Sequence, residues 1–313
     1  MFENRPAISR YLAISSLALA LTIQCHGHGD LHEQIESSTK QILGKPSDAK
    51  LYLKRGELYR NHGDFTKALS DYAQAEQLDP SLEVVFLSRG RAFLEMESFN
   101  EAHEAFDQFL ELQPDQPLGL LYRARTQVKL SQHATAEADF ALAIKLIKNP
   151  TPELYLERAH NLNLAGEPEA ALRNLNDSIK RIGSVASLET SALEQEIALG
   201  LYEKANRRLD KMMKKAKRKE TYLKRRAELL KKMGQPLAAR KAYQQALSEL
   251  LKLPSRLRQN RRTQALEREL IALLETPQTP IPNVLPQRRK AAEKKSENLC
   301  VSAPLREKSP MVI

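Results

Sequence analysis

The segment YLKRGELYRNHGDFTKALSDYAQAEQLDP, residues 52–80, carries two helical patterns of apolar and polar positions that meet at NHGD. Neither pattern is long enough to bury its own apolar face, so neighbouring segments must cover it. Small and aromatic residues mark the pattern: Gly56, Tyr59, Gly63, Ala68, Tyr72 and Ala75, closed by Pro80. The same marks return 34 residues later at Phe86, Gly90, Phe93, Ala102, Phe106 and Pro114, and again at Ala124, Ala136, Phe140 and Ala143. After a slip of one residue at NPTP they continue through Tyr155, Ala159, Leu162, Gly166, Ala171 and Leu175. A fainter unit shows Gly200, Tyr202, Ala205 and Leu209, and a last one shows Leu223, Ala227, Leu230, Gly234, Ala239, Tyr243 and Ala246.

The physics of each unit is that of a helical hairpin. Small residues at 56 or 124 and at 68 or 136 let two helix backbones approach, and the aromatics fill the seam between hairpins. Gly63, Gly166 and Gly200 end first helices, Pro80 and Pro114 stop second helices, and Pro168 and Pro236 suit a first helical turn. An arginine precedes the small position in five of the six units, at Arg55, Arg89, Arg123, Arg158 and Arg226. With Asp71 and Asp139 on second helices, the spacing predicts Arg55–Asp71 and Arg123–Asp139 pairs across their hairpins.

With these residues in register the chain resembles the tetratricopeptide repeat family over units 49–82, 83–116, 117–150, 152–185, 186–219 and 220–253. Unit five is the weakest, with Met212 where alanine recurs elsewhere. The resemblance implies an all-α fold, a right-handed α-solenoid of six hairpins whose first helices line a concave side. Residues 28–48 read as a half repeat, with Leu31, Ile35, Ile42 and Leu43 on one stripe. Residues 254–275 read as a capping helix through Leu266, Leu270, Leu273 and Leu274, and residues 276–313 as a proline-rich basic tail without enough apolar residues to fold.

The resemblance implies a protein partner, a peptide or helix, held on the concave side. The groove expected here is an apolar stripe of Leu53, Leu87, Leu121 and Leu156 flanked by Glu57, Arg91, Arg125 and His160. One branch of the family clamps a terminal carboxylate with Lys and Asn. Leu53 and Glu57 stand in those places, which does not support that activity.

Charge adds a second surface. Residues 206–313 hold 28 Lys and Arg against 10 Asp and Glu, whereas residues 1–205 hold 21 against 29. The dense run at 207–232 makes Lys214, Lys215, Lys217, Arg218, Lys219 and Arg225 a candidate contact for an anionic polymer or membrane surface. Nucleic acid is the rival ligand, and the near absence of aromatics beside Tyr222 argues against it.

Residues 1–27 read as an export signal: Arg5 and Arg10 precede the apolar run YLAISSLALALTI, and cleavage falls before His28. The expected location is periplasmic or secreted. Lipid attachment at Cys25 would make the protein membrane-anchored, but Gln24 stands where a small residue is usual. Cys25, His26, His28, Asp30 and His32 form a metal-like cluster that cleavage would dismantle. The chain has no HExxH, GxSxG, CxxC or phosphate-cradling glycine loop, so the reading is non-catalytic, with no cofactor.

Overall fold

A computed structural model describes residues 30–275. The expected tail and export segment lie outside these residues, as do Cys25, His26 and His28. Residues 30–44 form a first helix, α1. Six helix pairs follow: α2 (Ala49–His62) with α3 (Phe65–Leu78), α4 (Val84–Glu95) with α5 (Phe99–Leu112), and α6 (Pro117–Lys129) with α7 (His133–Leu146); then α8 (Pro152–Leu164) with α9 (Pro168–Ile182), α10 (Ala186–Ala198) with α11 (Tyr202–Lys215), and α12 (Glu220–Lys232) with α13 (Pro236–Leu251). A single turn, α14 (Ser255–Arg258), and α15 (Arg261–Glu275) close the described chain. No strand occurs among the described residues.

Two compact units divide between Asp210 and Lys211, inside α11, in the hairpin with the weakest repeat pattern. In the first unit each helix from α2 to α10 packs on the next, and first helices α2, α4 and α6 also lie side by side. Its main core runs from Phe86 through Phe106, Phe140 and Leu175 to Ala192. A smaller cluster, with Tyr72 and Ala68 fully buried, fills the first hairpin and its seam with α4. In the second unit α12 packs on α13 and α13 on α15, where Leu270 is fully buried. Ile35 and Ile42 of α1 are buried, but Leu43, expected on their stripe, is 78% exposed.

The turns inside the hairpins share one backbone solution. Gly63 adopts φ 84° and donates its N–H to the Arg60 carbonyl, while the Asp64 N–H reaches back to Tyr59. This left-handed position recurs at Gly166, Gly200 and Gly234. In the second and third hairpins its occupants are Glu97 (φ 60°) and Ser131 (φ 59°), side chains for which that conformation carries a penalty.

Close approach of paired helices follows the small residues. A Cβ built on Gly56 would lie 2.6 Å from the Tyr72 ring, and one on Gly90 2.5 Å from the Phe106 ring. These rings press against a first-helix backbone with no side chain between. At the same register the third and fourth hairpins use Ala124 with Phe140 and Ala159 with Leu175, all buried.

Candidate functional site

The arginine row holds the stack together. Arg55 forms a two-pronged pair with Asp71, at 2.8 and 2.7 Å, and Arg123 does the same with Asp139 at 2.7 and 2.8 Å. Each also reaches the second helix of the preceding unit: Arg55 donates to Thr39 of α1 at 3.1 Å and Arg123 to Asp107 of α5 at 2.8 Å. Where the in-hairpin aspartate is replaced by Ala105 or Asn174, the backward link remains, and Arg89 also donates within its own hairpin to Gln108 of α5. Arg89 pairs with Glu76 at 2.5 Å and Arg158 with Glu137 at 2.9 Å. The fifth hairpin reverses the polarity: Arg208 of α11 stands in the aspartate register and pairs with Glu189 and Glu196 of α10, while donating to Asn176 of α9. These half-buried guanidinium groups are therefore bound to the protein itself, through a link between units that the in-hairpin spacing alone did not reveal.

The concave face differs from the expected stripe. Leu87 is 9% and Leu121 6% exposed, both inside the main core, while Leu53 and Leu156 are half-buried and packed against core clusters. The reason is helical phase. Each leucine precedes a small residue (Gly56, Gly90, Ala124 or Ala159) by three positions, and therefore shares the face that meets the second helix. The flanking polar residues do lie along the first helices. Glu57 accepts from the Tyr72 hydroxyl at 2.8 Å and from Arg60, and Arg91 stands 3.5 Å from it. Burial alone would push the Glu57 carboxyl up, but hydrogen bonds from Arg60, Tyr72 and Ser88 outweigh it and hold the group below the usual carboxylate range. Arg125 pairs with Glu157 at 2.7 Å, and Arg91 and Arg125 both stand within 6 Å of the Tyr122 ring, at 5.9 and 5.8 Å. His160 is exposed.

The open apolar surface lies further along the same helices. A cleft of about 740 Å3 opens across α4, α6 and α8. Leu94, Phe99, Val128, Phe140 and Leu164 form its apolar lining, and Glu97, Arg125, Lys129, Glu157 and His160 its polar rim. Arg125 and His160 of the expected groove line it; the expected leucines do not.

Both ends of this stretch are clasped. Arg60 of α2, 8% exposed, bonds Glu95 of α4. Asn163 of α8 and Gln195 of α10 exchange amide hydrogen bonds at 3.1 and 2.8 Å. The 34-residue register carries Arg60 onto Leu94 and Val128, and Glu95 onto Lys129. Between the clasps Leu94, Val128 and Leu164 take these registers, with Lys129 as the one charged residue, and the helices leave a space that neither clasp bridges.

In the basic region the expected cations divide. Lys214, Lys215 and Lys217 are exposed. Arg218, by contrast, pairs with Glu220 at 2.5 Å and donates to Thr263, and the charge of Lys219 acts on Glu249, whose carboxyl is held low chiefly by Lys252. Arg225 is half-buried and has an interaction partner of its own. Among the described residues no three or more His, Cys, Asp or Glu gather as a metal site, and no helix is long and apolar enough to cross a membrane.

Stacked antiparallel helix pairs on a 34-residue period, with small and ring-bearing positions in register, define a helical-repeat protein. The chain carries tetratricopeptide repeats: family models of that repeat match residues 49–82 and 87–150. Its fold resembles the Naa15/Naa10 complex bound to HypK-THB, with 16% identity and a TM-score of 0.53, over 90% of this chain and 42% of that one. It is also similar to YrrB, a tetratricopeptide repeat protein with an unusual peptide-binding site (24% identity, 57% of this chain, 92% of that chain, TM-score 0.49). A tetratricopeptide repeat protein from Parabacteroides merdae is a further relative in structure (16% identity, 81% of this chain, 97% of that chain, TM-score 0.47). No curated protein sequence matches the chain.

Proposed function

We propose that this chain is a non-catalytic scaffold that holds a protein partner in the cleft across α4, α6 and α8. The observation that carries the reading is the cleft itself: an apolar floor, a mixed-charge rim and a polar clasp at each end. An amphipathic helix or extended peptide would bury an apolar side chain against Leu94, Val128 and Leu164, at roughly 25 cal/mol per Å2 removed from water. Leu164 is 50% exposed and available for that contact. Glu97 supports the reading too, since it keeps a carboxylate on the rim in a backbone conformation better suited to glycine. Tetratricopeptide repeat proteins are typically non-catalytic scaffolds, which agrees with the absence of catalytic motifs from the sequence.

A photo-crosslinking residue at Leu164 tests this. It should capture a discrete partner in cells, whereas the same residue at Glu104, exposed on second helix α5, should not. Val128→Asp should abolish capture without changing helix content. Equal capture from both positions, or capture indifferent to Val128→Asp, would count against the cleft. Export by residues 1–27 is part of the proposal, supported by their charge and apolar pattern. Mass spectrometry of the mature N-terminus tests it: a start at His28 supports export, and an intact Met1 refutes it.

A further inference from the structure

The second compact unit carries 19 Lys and Arg against 6 Asp and Glu over residues 211–275, and its charge is not evenly placed. Between Glu228 and Glu249 there is no acidic residue. At the centre of that stretch α12 ends with Lys231 and Lys232, turns through Gly234, and α13 starts with Pro236 and Leu237. Arg240 and Lys241 follow Leu237 by three and four positions, on the same helix face. Leu237 is 77% exposed. The other five hairpins hold Thr66, Asn100, Ala134, Glu169 and Glu203 at this register, all exposed and none a large apolar side chain.

We propose that this turn, residues 231–241, contacts an anionic lipid bilayer: Leu237 enters the interfacial layer while Lys231, Lys232, Arg240 and Lys241 meet lipid phosphates. A solvated charged turn gains nothing from a leucine held out in water. An interfacial one gains both from burying it and from the charges around it. The long lysine and arginine stems can lie along the apolar layer with their heads at phosphate level. Nucleic acid fits the turn less well. The unit's aromatics over residues 211–275 are Tyr222 and Tyr243, and Tyr243 is 6% exposed, so few faces are left for base stacking. The opposite end of the hairpin is a poorer candidate, because Arg218 and Lys252 are paired there with Glu220 and Glu249.

The sequence contains no tryptophan, so Leu237→Trp in the full chain gives one fluorophore at the proposed contact. Its emission should shift to the blue with vesicles of phosphatidylcholine containing about a third phosphatidylserine, and brominated lipid should quench it. Pure phosphatidylcholine should have no effect, and salt should reverse the shift. Leu43→Trp, at a residue 78% exposed in the first unit, should stay unchanged. Lys231→Ala with Lys232→Ala should weaken vesicle binding about 30-fold, at roughly fivefold per cation near an anionic surface. Lys214→Ala with Lys215→Ala should leave the quenching of the Leu237→Trp emission intact. Absence of brominated-lipid quenching would overturn the proposal, as would equal quenching at Leu43→Trp. A response to a single-stranded oligonucleotide without any response to vesicles would make the turn a nucleic-acid contact instead and overturn it too.

Discussion

Replacing Gly56 with alanine adds one methyl group where the first hairpin has no room for it. The new Cβ would stand 2.6 and 2.8 Å from two carbons of the Tyr72 ring and 3.3 Å from the Ala68 carbonyl oxygen. Carbon atoms rest about 3.5–4 Å apart, so the ring must retreat by roughly 1 Å. It has little freedom to do so, because Tyr72 is fully buried and its hydroxyl donates to Glu57 at 2.8 Å. Overpacking costs about 1–3 kcal/mol, and disturbing a hydrogen bond to a carboxylate adds about 1.5 kcal/mol. The gain in helix propensity over glycine returns about 1 kcal/mol. The net expectation is a loss of about 1.5–3.5 kcal/mol, confined to α2, α3 and the adjoining α4 because a solenoid couples only neighbours. Hydrogen exchange read hairpin by hairpin is the suitable assay, since an array of two units need not unfold in one step. A second change, Tyr72→Leu, recreates the alanine–leucine pair that Ala159 and Leu175 form in the fourth hairpin, and should restore much of the protection. The packing argument fails if Gly56→Ala stabilises the first hairpin, or if α12 and α13 lose protection equally.

Glu97→Gly and Ser131→Gly should each raise stability by up to about 1 kcal/mol by relieving a left-handed backbone, and unchanged or lower urea midpoints would show those turns unstrained. Arg123→Met strands the buried carboxylate of Asp139 and leaves Asp107 with His103. With Arg123 24% exposed the loss should be about 2 kcal/mol, below the ~3–5 of a fully buried pair. Adding Asp107→Ala and Asp139→Leu should recover most of that loss, and a triple variant no better than the single one contradicts the ion-pair account. Because the Glu57 carboxyl is held below its ordinary value, the stability it contributes is present at neutral pH and is lost as pH falls through its folded pKa. Wild type should therefore exceed Glu57→Gln in stability at pH 7, with the gap closing in acid, and a gap independent of pH would rule that linkage out.

The fold was legible because its determinants are local and repeated. Gly56, Ala68, Tyr72 and their counterparts every 34 residues declare close-packed helices without reference to distant chain. The Arg55–Asp71 and Arg123–Asp139 pairs were legible for the same reason, both partners lying in one hairpin. Links between hairpins were harder to read. Arg89 and Arg158 choose Glu76 and Glu137 one turn away from the Asp107 register, because alanines at 73 and 141 leave no carboxylate there. The groove leucines failed on phase. Leu87 and Leu121 belong to the packed face, as their three-residue spacing to Gly90 and Ala124 dictates. The left-handed turns at Glu97 and Ser131 could have been found by continuing the Gly63 register, but neither residue type announces that conformation.

The cleft exists where one register position changes character, and this makes its role separable from the fold. Arg60 of α2 bridges to Glu95 of α4, whereas 34 residues on Leu94 of α4 and Lys129 of α6 leave the next interface open. Leu94→Arg with Lys129→Glu therefore copies the first clasp into the second interface. The transplanted pair sits in a geometry the repeat already accommodates, and half-exposed pairs contribute only about 0–1 kcal/mol, so melting should change little. The guanidinium stem and its carboxylate would occupy the floor beside Val128 and replace apolar surface with a paired charge. A partner side chain could enter only by breaking that pair. Crosslinking from Leu164 should then collapse, while Leu94→Arg alone, lacking its acid, should be both less stable and impaired. If the double variant melts like wild type and still captures the same partner at full yield, the partner does not use this cleft, and the scaffold must bind through another face.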